Sequence, residues 1–401
     1  MINLDDPKKF RGLVNQAQQV AINMFRPISR KYDLAEHEYP KELDMLAAVM
    51  DGMNESGAQG AGAGKLSSKK TDADGVNNGQ NMASVLGLIE LCWGDVGLSL
   101  SMPRQGLGNA AIAAVANEEQ LKRFGKTWAA MAITEPGAGS DSAAITTTAV
   151  KDGDEYIING EKIFITAGGR ADAIVVWASL DKKAGRAAIK SFVVEKRTPG
   201  MELIRLDHKL GIRASDTATV RFTDCRVPAE NLLGSPEVDV SKGFAGVMQT
   251  FDNTRPVVAA MAVGVAKASL ELTRELLEKQ GMHFHYDVPR FNAQAAEAEV
   301  YRMEADWEMA RLLTLKAAWM ADNGQANVVQ ASMCKAKAGR VGNEITLRCA
   351  EICSSLGYEE SGLLEKWARD SKILDIFEGT QQIQQLIIAR RLLGKSSSEL
   401  K

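Results

Sequence analysis

The period of the apolar residues changes twice along this 401-residue chain, and that change constrains its fold class more than any single motif. Residues 82–91 mix Leu, Ile, Val and Ala with Gly87 as the one breaker, and 110–124 gather their charges at one end, so both predict helices. From about 130 to 235 β-rich runs take over, and residues 173–180, 188–195 and 218–222 predict strands. Residues 156–165 place Asn159-Gly160 between two β-rich arms, the local signature of a two-residue hairpin turn, because both residues tolerate positive φ. After Gly243 the helical period returns over 257–277, 293–320, 328–355 and 381–393. Pro occurs there only at 256 and 289, at or near the expected helix starts, where a missing N–H costs little. The order predicts an α+β fold with an N-terminal helical domain over 1–130, a middle antiparallel β-domain over 131–238 and a C-terminal four-helix bundle over 239–401. A doubly wound sheet would instead alternate strands with helices.

Composition excludes several classes of function. With 48 basic against 51 acidic residues, the net charge of −3 provides no concentrated basic field for nucleic acid. No run of about 18 uncharged apolar residues stands out, so no membrane span is expected. The five cysteines (Cys92, Cys225, Cys334, Cys349, Cys353) show no CxxC spacing and imply neither a disulfide framework nor a zinc site. The acidic start lacks the apolar core of a secretory signal, and a cytoplasmic, reducing compartment is the expectation. Within a polar segment from about 54 to 80, the run GAQGAGAGK mimics a phosphate loop. Gln59 stands where its first Gly should be and Leu66 follows Lys65 in place of Ser or Thr, so it reads as a flexible loop. His283 and His285 lack a third ligand nearby and read as a solvated pair; no metal site is assigned.

Two stretches carry chemistry. In Met131-Ala132-Ile133-Thr134-Glu135-Pro136-Gly137-Ala138-Gly139-Ser140-Asp141, Pro and Gly form a tight turn whose backbone can approach a ligand, with hydroxyls on both sides; an ordinary surface turn is the plain alternative. In the second, Ile376 to Arg391, Gly379 can end one helix and Thr380 can cap the next. Glu378 stands between apolar residues and a glycine, where burial would raise its pKa and strengthen it as a base toward a weak carbon acid. The alternative is a plain residue of a last helical turn.

Together, in this order, the two stretches resemble the acyl-CoA dehydrogenase family. Further support comes from Phe164-Ile165-Thr166-Ala167-Gly168-Gly169, Leu210-Gly211-Ile212-Arg213, Val227-Pro228-Ala229-Glu230-Asn231 and Phe251-Asp252-Asn253-Thr254-Arg255-Pro256, the last opening a long helix. The resemblance implies αβ-dehydrogenation of an acyl-CoA thioester to the trans-2-enoyl-CoA, as in fatty acid β-oxidation, with FAD as hydride acceptor. It implies Glu378 as the catalytic base. It places Met131, Ile133, Thr134, Phe164, Ile165, Thr166, Thr380 and Gln382 at FAD. Ser140, Asp252 and Arg255 fall along the CoA path, and Gly379 falls at the substrate. An electron-transfer flavoprotein is the implied acceptor. A non-catalytic subunit and an acyl-CoA oxidase are the competing readings.

The chain also departs from the family pattern. Where an Arg-x-x-Phe-Gly stretch and a Gln before a Gly-rich turn would reach a neighbour's ADP half, it has Glu278-Lys279-Gln280-Gly281 and Glu351-Ile352-Cys353-Ser354. These departures leave two assemblies open, a homo-oligomer or a hetero-oligomer in which a related subunit supplies the missing groups.

Overall fold

The structure is a computed structural model describing residues 7–55, 79–104, 106–238, 245–287, 289–396 and 399, with backbone alone for 49–55, 245–253 and 290. The Gly-rich run of the 54–80 segment lies outside the described residues.

Among the described residues, seven α-helices precede the sheet: α1 (Arg11–Val20), α2 (Arg26–Leu34), α3 (Glu42–Glu55), α4 (Gln80–Gly94), α5 (Val96–Leu100), α6 (Leu107–Val115) and α7 (Glu118–Phe124). The helix expected over 110–124 is broken into α6 and α7. Ala116 turns extended, and Asn117 caps α7 in a reciprocal capping box with Gln120.

Seven strands follow: β1 (Ala129–Ala132), β2 (Thr148–Asp152), β3 (Glu155–Thr166), β4 (Ala173–Ser179), β5 (Ile189–Glu195), β6 (Met201–Leu206) and β7 (Thr217–Pro228). They form one sheet in the order β1-β4-β2-β3-β7-β6, with β5 also pairing β4. Pairing is antiparallel except at β4, which runs parallel to β1 and, through one residue pair, to β2. The hairpin expected at Asn159-Gly160 is not there, because β3 runs straight through it. Gly160 lies beside Thr147, whose Oγ1 would come within 2.3 Å of a Cβ at that position, and Asn159 exchanges hydrogen bonds with Asp224 across the ladder. The two-residue turn lies earlier, between Asp152 and Glu155, with Gly153 at φ 60°.

The C-terminal part comprises α8 (Ala245–Lys279), α9 (Ala295–Asp322), α10 (Val328–Ile352), α11 (Ser355–Tyr358), α12 (Leu364–Ser371) and α13 (Gln381–Leu393). Pro256 lies inside α8 rather than at its start, which leaves the carbonyl one turn before it without its helical donor. Thr254–Lys279 is long and apolar enough to cross a membrane by length and composition, but 78% of its most apolar window is buried. Packing explains that apolarity: Ala259, Ala262, Val263 and Ala266 join α4, α9, α10 and α12 in the largest core cluster. Close approach of α10 to the turn Lys372–Asp375 depends on Gly339, where a Cβ would come within 2.7 Å of the Leu374 carbonyl oxygen. All five cysteines are buried thiols.

Candidate active site

The segment from Ile376 to Thr380 links the turn Lys372–Asp375 to α13. The N–H groups of Ile376 and Phe377 both donate to the Ile373 carbonyl, closing the turn, and the chain then leaves the helical path. Glu378 (φ 59°) and Gly379 (φ 93°) are consecutive left-handed residues. For a glutamate that conformation costs about 1 kcal/mol or more and persists only where neighbours enforce it. Gln384 Nε2, fully buried, donates to the carbonyls of Glu378 (2.9 Å) and Gly379 (3.2 Å). Lys335 Nζ, reaching across from α10, donates to the Gly379 carbonyl at 2.6 Å.

The Glu378 residue is only partly covered, yet its carboxylate is under the surface. Oε2 accepts a hydrogen bond from Thr254 Oγ1 at 2.7 Å, while Oε1 is sealed from solvent without a hydrogen-bond partner among the described residues. Burial pushes this carboxyl up to about 7, against the opposing pull of the Thr254 hydroxyl and the positive charges of Arg255 and Lys335. Burial likewise pushes the Lys335 ammonium down to about 8, opposed by Asp375 and Glu378. Arg255, assigned from sequence to the CoA path, is 3% exposed and acts here on the charge of the carboxylate. The side chain of Asp252 lies outside the described residues.

A second group forms where β1 meets β3. Thr134 accepts from the Ile163 N–H (2.9 Å), and Lys162 Nζ donates to the Ile133 carbonyl (3.1 Å) and to Glu135 Oε1 (2.8 Å). Glu135 also accepts from the N–H and hydroxyl groups of Thr146 and Thr147, which fixes the start of the turn that Pro136 and Gly137 complete. Beside this pair, β3 bulges away from β7 between Lys162 and Ile165, and Phe164 is thrown outward at φ 57° and 63% exposed. Met131, Thr134 and Thr166 are partly exposed along the same two segments. An exposed ring, a thioether and two hydroxyls suit a broad planar ligand with a polar rim, so the residues fit an isoalloxazine ring. Ile133 and Ile165 are buried, Ile165 fully, so they can meet a ligand there only through their backbone. Thr380 spends its side chain capping α13 through the Ile383 N–H, Gln382 is exposed two residues on, and Ser140 is exposed beyond the turn.

The expected residues therefore fall in two groups, one on helices and one where the turn after β1 meets the bulged end of β3. Helix α6 packs against both β1 and α8 and so links them. Lys335 and Gln384 were not anticipated. One signal was available for Lys335: it shares a helical face with Ala331, Ala338 and Gly342, an apolar stripe in which a lysine is the odd member.

Comparison with known proteins gives one family. Residues 130–225 match the acyl-CoA dehydrogenase middle domain and residues 241–393 the acyl-CoA dehydrogenase C-terminal domain. The chain is 39% identical over 262 residues to the mitochondrial short-chain specific acyl-CoA dehydrogenase of Mus musculus, covering 65% of this chain but only 62% of that one. It is 36% identical over 281 residues to the short-chain specific acyl-CoA dehydrogenase of Clostridium acetobutylicum, covering 69% and 72%. Butyryl-CoA dehydrogenase from Megasphaera elsdenii superposes with a TM-score of 0.82 at 30% identity, over 98% of this chain and 100% of the other.

Proposed function

Because the chain belongs to the acyl-CoA dehydrogenase family, we propose that it dehydrogenates an acyl-CoA thioester between Cα and Cβ, with Glu378 as the base. The observation that carries this reading is the sealed carboxylate, held by one hydroxyl, with one oxygen unpartnered and a pKa raised to about 7. A thioester α-proton is weakly acidic, so the base must be strong enough to take it yet still ionised at neutral pH. A carboxyl near 7 meets both demands, and such a base contributes on the order of 10²–10⁴ in rate. In this reading the Glu378 N–H, on the left-handed turn, serves as a donor to the thioester oxygen of the developing enolate, with Gly379 next to it at the substrate.

FAD, when bound, supplies the hydride acceptor that this proton abstraction needs. Met131, Thr134, Phe164 and Thr166 hold its ring by their side chains, and Ile133 and Ile165 by their backbone. Thr380 and Gln382 approach it from the start of α13, and Ser140, Asp252 and Arg255 serve the CoA portion. An electron-transfer flavoprotein is the acceptor and the cytoplasm the location in this reading. To test it, Glu378→Gln should keep the flavin spectrum and lose turnover by about a hundred- to ten-thousandfold. A variant that turns over at the native rate would refute Glu378 as base.

The assembly includes related chains, either identical or different. Glu351 is paired with Arg348 at 2.8 Å, and Glu278 lies 4.0 Å from Arg274, so both carboxylates already have cations within the chain and neither offers a donor to a neighbour's pyrophosphate. That favours a partner subunit of different sequence. FAD per chain decides the matter, since one full flavin per chain from the protein expressed alone would refute the heteromer.

A further inference from the structure

Among the described residues, three lysines are buried. Lys162 is paired with Glu135, and Lys366 lies between Asp95 and Asp370. Lys335 differs, because among the described residues its hydrogen bond goes to a carbonyl, that of Gly379, and no carboxylate lies within ion-pair distance. A neutral donor could hold that carbonyl at a smaller desolvation cost, so the charge itself needs a reason.

Its surroundings supply one. A single turn of α10 grips the base segment at three points: Gly339 against the Leu374 carbonyl before it, Lys335 on the Gly379 carbonyl at it, and the Ala336 carbonyl accepting from Gln381 Nε2 after it. Thr254 and Arg255 of α8, Lys335 of α10 and Asp375 of the preceding turn are the polar and charged groups facing Glu378 and Lys335.

We propose that Lys335 is a positioning residue for Glu378: its hydrogen bond fixes the left-handed Glu378–Gly379 backbone, and its ammonium provides positive potential that favours the ionised base. The inference rests on Glu378 being the base. It does not extend to contact between Lys335 and substrate.

Two substitutions separate the two roles. Lys335→Gln keeps a donor for the Gly379 carbonyl and removes the charge; Lys335→Arg keeps the charge. With the flavin-loaded protein, Lys335→Gln should move the acid limb of kcat/KM about one pH unit alkaline, a tenfold loss well below the midpoint, with the alkaline plateau largely retained. Lys335→Arg should leave the limb in place. A readout independent of turnover is the protonated-carboxyl infrared band of Glu378, identified by its absence from Glu378→Gln and followed against pH. Its midpoint should rise in Lys335→Gln and stay in Lys335→Arg. An unmoved midpoint in Lys335→Gln, or equal shifts in both variants, would overturn the proposal. If the native protein turns over no thioester, the assignment of the base fails, while the infrared titration still judges Lys335.

Discussion

Glu378→Gln should make the protein more stable, by an amount that grows as pH rises from about 4.5 to about 7. The carboxyl titrates at about 7 in the fold against 4.5 for an unperturbed glutamate, so the folded state binds its proton more tightly than the unfolded chain does. The stabilising share of that proton is complete below 4.5 and is lost as pH rises through 7. Above that, the fold carries a buried carboxylate with one oxygen lacking a partner, and the cost is about 3 kcal/mol at about 1.4 kcal/mol per tenfold change. Glutamine is neutral at every pH and nearly isosteric. Its advantage over the native residue should therefore be near zero at about pH 4.5, reach about 3 kcal/mol by about pH 7 and level off above that. In a chain of this size that corresponds to a few degrees in Tm. Thermal and urea unfolding of both proteins, at matched flavin content and several pH values, measures the difference directly. A stability offset that is the same at all pH values, or one that shrinks as pH rises, would refute the account of Glu378 as a buried base held at a cost.

Three further substitutions probe the supports of the site. Thr254→Val removes the hydroxyl that donates to Oε2, and since hydrogen bonds to charged groups are worth about 1.5–3 kcal/mol, the acid limb of kcat/KM should move one to two pH units alkaline, on the order of a tenfold loss at neutral pH. Glu135→Gln leaves the Lys162 ammonium buried without its carboxylate, which should cost about 3–5 kcal/mol and weaken flavin retention, both read by thermal unfolding and flavin release. In the native protein burial alone would raise Glu135, but Lys162 and Thr147 hold it down at about 2, so this pair's contribution to stability should be complete above about pH 4.5 and be lost as pH falls from there through about 2. Gly339→Ala drives a Cβ against the Leu374 backbone and should cost about 1–3 kcal/mol and reduce kcat, measured by unfolding and steady-state assay.

The succession of helices, strands and helices was legible because long amphipathic periods survive any detail of packing, and α13 begins and ends where the sequence places it, between the Thr380 cap and Gly394. Local signals failed where tertiary contacts outweighed them. Asn159-Gly160 has the composition of a turn, but β7 pairs on both sides of it and the glycine is used for close packing against Thr147. Pro256 resembles a helix start, but the burial of α8 among four other helices outweighs one missing hydrogen bond. At the site, Glu378 could be singled out from its neighbours in sequence, whereas the groups that hold it could not. Gln384 belongs to a polar run that suggests a solvated face, yet its amide is buried against two backbone carbonyls. Which polar residue of a helix turns inward depends on carbonyls supplied by another part of the chain.

The two halves of the site come from different layers, so their alignment depends on what locks the layers together. Behind the base segment, Asp370 of α12 accepts the Ile212 N–H from the loop between β6 and β7, and Gly211 lies against the Arg369–Asp370 backbone so closely that a Cβ would come within 2.5 Å. Asp370 is also bound by Lys366, which holds Asp95 at the N-terminus of α5, and Ser29 of α2 completes the set. Helices α2 and α12, the start of α5 and the loop between β6 and β7 thus meet on a single buried network. Apolar contact alone would let them slide by fractions of an ångström at little cost, whereas each of these bonds is lost once donor and acceptor move apart. Eight residues beyond Asp370 comes Glu378. The network therefore fixes where Glu378 stands relative to the bulged end of β3 that carries Phe164 and Thr166, the placement that the proposed removal of a proton and a hydride from adjacent carbons would need.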